Sequence, residues 1–168
     1  MSYLEHAPPP ILAPWLECLW ERHDEAGPPV RVLPDGCIDI VFTEATGAQV
    51  VGANTTAFLV PIEGAIHVAG ARLLPGCAPA LLGVAAEELR DARIPVADVL
   101  ARGADLEHAL GESGNPLETL RRELLAYVTR APRPDPLVRE AVSRLERSSI
   151  AITRLADDLG VSERGLRR

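Results

Sequence analysis

The sequence contains no lysine; all 17 basic residues are arginine. Set beside 15 prolines and 13 glycines, this reads as base-composition bias rather than chemistry. Cysteine is scarce. Cys18, Cys37 and Cys77 are widely spaced, odd in number and form no Cys-x-x-Cys pair, so neither a disulfide framework nor a zinc knuckle is indicated. No apolar run is long enough to span a bilayer. The uncharged, mostly apolar stretch of residues 73–86 is interrupted by Pro75 and Pro79. Residues 1–6 lack the basic-then-apolar pattern of a signal peptide, so a cytoplasmic chain without a membrane partner is expected.

What remains is ample for a folded protein. The 168 residues suit one ordinary domain, or one domain with a small appendage. Apolar residues make up 47% and charged residues 24%, which excludes wholesale disorder. The net charge of −7 is unevenly spread. Residues 1–134 hold 18 acidic residues and 10 arginines, whereas residues 135–168 hold 6 and 7. The acidic body repels phosphate, so any contact with DNA belongs at the C-terminal end.

The first 80 or so residues read as strands and turns. In residues 15–22, period two places Leu16, Cys18 and Trp20 on one face. Pro34-Asp35-Gly36 between Arg31-Val32-Leu33 and residues 37–42 is a hairpin signal, because proline presets the first corner and glycine closes a left-handed one. Ile38, Ile40 and Phe42 then share one face, and Cys37, Asp39 and Val41 the other. Further strands are expected over residues 49–53, 55–61 and 66–74. Short strands at this spacing indicate a sandwich or small barrel.

After residue 83 the period becomes helical. Short helices are expected over residues 85–91 and 105–111. Asn115, Pro116 and Glu118 mark a strong helix start, followed by a stripe of Leu117, Leu120, Leu124 and Val128. Residues 132–136 alternate proline with Arg133 and Asp135 and form a stiff linker. Asp135 can cap the next helix, whose buried face is Leu137, Ala141, Val142 and Leu145.

The end of the chain is the most informative segment. Ile152, Leu155, Ala156 and Leu159 line one face of a short helix, and Gly160 stands at its natural left-handed stop. Ser162 is a good N-cap for a second helix, on which Leu166 returns to the core. A helix, a glycine turn and a second capped helix make a helix-turn-helix. Arg164, Arg167 and Arg168 lie on the second helix, where guanidinium groups can meet phosphates or guanine edges.

Residues 152–168 resemble the first helix-turn-helix of AraC/XylS-type transcriptional regulators. The upstream chain resembles a sensory domain found at the N-terminus of some of them. That second resemblance is carried by residues 31–42 (Arg31-Val32-Leu33-Pro34-Asp35-Gly36 into Cys37-Ile38-Asp39-Ile40-Val41-Phe42), 70–76 and 81–89. It implies an α+β chain: an N-terminal cupin-like β-barrel or sandwich for effector sensing or dimerisation, followed by a C-terminal helical segment. The expected division is a sensory and dimerisation domain over 1–131, β-rich to 83 and helical from 84, and a linker helix with an incomplete helix-turn-helix over 132–168. Ser162, Glu163, Arg164, Arg167 and Arg168 match the family's groove-facing stretch. The implied partners are a small-molecule effector, a second copy of the chain, and DNA through a complete C-terminal domain. Since the sequence stops within the first recognition helix, DNA binding by this chain alone is expected to be weak or absent.

In the β-rich part, Trp20, Cys37, Asp39 and Cys77 are candidate ligand-pocket residues. The alternative is that Cys37 and Asp39 lie on the solvent face of a half-buried strand, and that Trp15 and Trp20 are core. His6, His23, His67 and His108 are far apart in sequence and show no His-x-His pair, so no metal, cofactor or enzymatic activity is expected. Two rival readings stay open: a small cupin-type metal enzyme, and a ligand-free dimerisation module.

Overall fold

The structure, a computed structural model, describes residues 2–166. The chain is α+β. Its strands are β1 (Ser2–His6), β2 (Leu16–Asp24), β3 (Gly27–Val32), β4 (Ile38–Thr43), β5 (Gly47–Val51), β6 (Phe58–Ile62), β7 (Ile66–Leu73) and β8 (Arg93–Pro95). Its helices are α1 (Ala78–Leu82), α2 (Ala86–Leu89), α3 (Val96–Val99), α4 (Gly103–Gly111), α5 (Pro116–Val128), α6 (Pro136–Arg147), α7 (Ile152–Leu159) and α8 (Glu163–Leu166). No helix among the described residues is long and apolar enough to cross a membrane.

Six strands form one antiparallel sheet in the order β1-β2-β7-β4-β5-β8, and β3 pairs with β6 in a separate two-stranded sheet. The large sheet is open: β1 and β8 are its two edges, so the strands do not close into a barrel. Residue alternation gives it two unlike faces. Leu19, Ile40, Phe42, Ala48, Val50, Ala71 and Leu73 point to one face and are buried. Leu106 and Leu110 of α4 and Leu120 and Leu124 of α5 belong to the same core. The leucine stripe expected on α5 is its buried side, and Asn115 Oδ1 caps the helix by accepting from Glu118 N at 3.1 Å.

Two local expectations are corrected. Pro34-Asp35-Gly36 does turn the chain: Asp35 Oδ1 accepts from Cys37 N at 2.9 Å, and Gly36 has φ 76°. Yet β3 pairs with β6 while β4 pairs with β5 and β7, so the turn carries the chain between sheets instead of closing a hairpin. In β2 the register shifts between Leu16 and Cys18. This bulge keeps Leu16 opposite Leu73 on the core side and turns Cys18 to the face shared with Trp20, so Leu16 and Cys18 do not share a side.

Helix α6 begins at a cap in which Asp135 Oδ1 accepts from Leu137 N at 2.8 Å. It seats against the turn after β7. Gly76 adopts φ 82°, and a Cβ there would lie 2.5 Å from Val138 Cγ1. Glycine is needed at this point both for the left-handed backbone and for the close approach of the helix.

The sheet owes its cover to α5. Truncating Leu124, which is 0% exposed, opens a cavity in the core between α5 and the sheet. Leu124→Ala is expected to lower unfolding free energy by about 2–5 kcal/mol in urea titration. A loss below about 1 kcal/mol would show that α5 does not hold the sheet.

Candidate functional site

The C-terminal corner is built locally from four residues. Leu155 and Ala156 are buried, at 0% and 2% exposure, and the small Ala156 allows close helix approach. Gly160 ends α7 with φ 69°, its N–H donating to Asp157 O at 3.1 Å. Ser162 then opens α8 by accepting from Gly165 N at 3.0 Å. Two short helices therefore meet at a glycine turn, as the spacing predicts. Thr153 Oγ1 donates to Glu163 Oε2 at 3.1 Å across the corner, which ties the start of α8 to α7. Arg164 and Ser162 lie on this corner, with Arg164 exposed. The remaining groove-facing candidates, Arg167 and Arg168, lie outside the described residues.

A second constellation occupies the face of the large sheet turned away from α4 and α5. Trp20 Nε1 donates to Asp39 Oδ1 at 2.8 Å. Asp39 and Arg72 are cross-strand partners, with Arg72 Nε 3.5 Å from Asp39 Oδ1. Arg72 also lies 3.5 Å from Glu5 and 3.8 Å from Asp35. Tyr3 donates to Glu5 at 2.7 Å, and its ring sits 5.9 Å from that of Trp20. The indole lies flat over Gly70, where a Cβ would fall 2.2 Å from Cε2. Gly70 is thus what lets the aromatic ring reach Asp39. Burial pushes the Asp39 carboxyl up to about 6, although Arg72 and the Trp20 N–H pull it down. The carboxylates around Arg72 hold its charge firmly despite the burial that opposes it.

Of the four candidate pocket residues, Trp20 and Asp39 are brought into direct contact. Cys37 lies beside them at the entry to β4, where its thiol donates to Glu17 Oε2 at 3.6 Å. Cys77 lies elsewhere, at the start of α1, fully buried and 3.6 Å from Pro14 O. Burial first, then neighbouring carboxylates, push Cys18 up to about 11 and Cys37 up to about 12, so both stay protonated and weakly nucleophilic at neutral pH. A cleft of about 410 Å³ opens on the opposite side, between His6, Leu19 and Glu21 of the sheet and Leu117 and Arg121 of α5. None of the four candidates lines it.

Sequence reasoning missed Tyr3, Glu5 and Arg72 as members of the Trp20 cluster. The signal available was parity: Arg72 alternates opposite to Ala71 and Leu73, a charge set between core residues. It also missed that His6, His23 and His67 gather round Glu21. Only the strand pairing of β1, β2 and β7 reveals that.

Asp39 gives a pH signature. Between its ordinary value of 3.8 and about 6, the folded protein holds a proton that the unfolded chain has released. Stability therefore falls as pH rises through that window, by about 3 kcal/mol at most. Asp39→Asn, which keeps an acceptor for Trp20, should flatten the slope of unfolding free energy between pH 4 and 6, measured by urea titration at each pH. An unchanged slope in the variant would rule out Asp39 as its source.

No curated protein and no solved structure matches this chain. A family model described as "Domain of unknown function (DUF6597)" matches residues 4–95, more than half of the sequence, running from β1 to the end of β8; the chain belongs to this family.

Proposed function

We propose that this chain is the effector-sensing and dimerisation part of an AraC-type transcriptional regulator, joined to the opening half of its first helix-turn-helix. The observation that carries the reading is the corner of α7, Gly160 and α8. A left-handed glycine and a serine cap join two helices, and arginine follows on the second. This is the arrangement by which a recognition helix is offered to the major groove. The charge distribution supports it, because the acidic body leaves the C-terminal end as the one region suited to phosphate.

The sensing role draws on the resemblance of residues 31–42, 70–76 and 81–89 to cupin-like sensory domains, and on the cleft between the sheet and the first turn of α5. A small-molecule effector in that cleft would touch both the sheet and α5. Helix α6 packs through Val138 on the Gly76 turn that follows β7, which would let a shift of the sheet reach α6. Such a ligand biases the balance only by its difference in affinity for the two arrangements. A second copy of the chain completes the regulator, since paired half-sites need paired readers.

The DNA arm of the proposal is tested with this chain and a fluorescent duplex pool at low salt. Weak binding is expected, falling steeply as salt rises. Replacing Arg164, Arg167 and Arg168 with alanine should reduce the slope of log affinity against log salt by about one per arginine that meets a phosphate. Salt-independent binding, or a slope unmoved in the triple variant, would overturn the assignment of these residues.

A further inference from the structure

His23 and His67 are direct partners across β2 and β7. Glu21 precedes His23 by two residues and so lies on the same face. The two imidazoles stack at 4.1 Å with planes 8° apart. His23 Nε2 lies 3.5 Å, and His67 Nε2 3.6 Å, from the same oxygen, Glu21 Oε2. The three ligand atoms of Glu21, His23 and His67 all lie within 4.8 Å of one another. His6 Nε2, from the edge strand β1, lies 3.3 Å from the other oxygen, Glu21 Oε1.

The two separations from Glu21 Oε2 to His23 and His67 are longer than charge-assisted hydrogen bonds, which run about 2.7–2.9 Å. They are close to two edges of a tetrahedron whose bonds are about 2.0–2.1 Å long, near 3.4 Å. His67 Nε2 is buried and makes no hydrogen bond, an uncommon state for a buried polar atom. The nearest charges on β2, Arg22 and Asp24, lie on the other face or pair with each other and do not compete for the cluster.

We propose that Glu21, His23 and His67 bind one divalent transition-metal ion of the zinc class, with His6 orienting the carboxylate from β1. Two imidazoles and one carboxylate suit zinc, cobalt, nickel or ferrous iron rather than calcium or magnesium, which prefer an all-oxygen shell. Three protein ligands leave a position open to water or to a small exogenous ligand. The imidazoles tilt out of their stack to aim both lone pairs at one ion. Their side chains have room for this, at 52% and 34% exposure. The bound ion joins β2 to β7, and through His6 it fastens β1 to the sheet. Glu21 and His6 also line the cleft, so the ion sits at its margin. The site does not depend on the regulatory reading, and its test uses no DNA.

The experiment titrates tag-free full chain with cobalt(II) chloride and follows visible absorption, then displaces cobalt with zinc. A band that saturates at one equivalent and is bleached by zinc is expected. His67→Gln and His23→Gln should each abolish it, and His6→Gln should weaken zinc binding about tenfold. His108→Gln, on α4, should leave it unchanged. Circular dichroism of the metal-free variants confirms folding; should His67→Gln fail to fold, the exposed His23→Gln decides. No saturable band, or a band that survives in folded His23→Gln, would overturn the site.

Discussion

An antiparallel sheet with one apolar face folds only if something covers that face, and here α4 and α5 do so with Leu106, Leu110, Leu120 and Leu124. Burial is non-directional, so it secures the cover but not the alignment of β2, β7 and β4 beneath it. Alignment comes from the strand ladder and from the bulge between Leu16 and Cys18, which sets the parity of everything that follows in β2. Once that parity is fixed, Leu19 must face the helices, Trp20 must face Asp39, and Glu21 must face His67. The polar clusters on the two sides of the sheet are therefore consequences of one packing arrangement.

The same arrangement connects the ends of the molecule. Helix α5 lies against the sheet, α6 rests on Gly76 at the end of β7, and α7 and α8 follow after a short connection. Glycine stands at two close approaches on and after β7: Gly70 beneath the Trp20 indole, and Gly76 beneath Val138. The C-terminal corner lies outside the matched residues 4–95.

Much of this was legible in the sequence. Period-two alternation located β4 and β7, and cap residues located α5 and α6, because these signals are local. The glycine stop and serine cap at the C-terminal corner were legible for the same reason. Strand β1 was not, since Ser2–His6 is exposed throughout and carries no alternating pattern. Neither was β8, three residues long and ended by proline. The turn at Pro34-Asp35-Gly36 was found, but its partners were not, because turn chemistry fixes a corner and not which sheet each arm joins. The Glu21 cluster was invisible for a related reason. Its residues come from three strands, and spacing along the chain says nothing about cross-strand neighbours. At Asp39 the residue was identified, while Arg72, which completes its surroundings, required the register of β4 against β7.

In the proposed regulator α7 and α8, not the acidic sheet, meet DNA. Backbone amide chemical-shift mapping on addition of a short duplex tests it residue by residue. Shifts are expected to concentrate at Ser162, Glu163 and Arg164 and their neighbours on α7, with β2, β4 and β7 unmoved. Shifts spread over the sheet with the corner silent would contradict it.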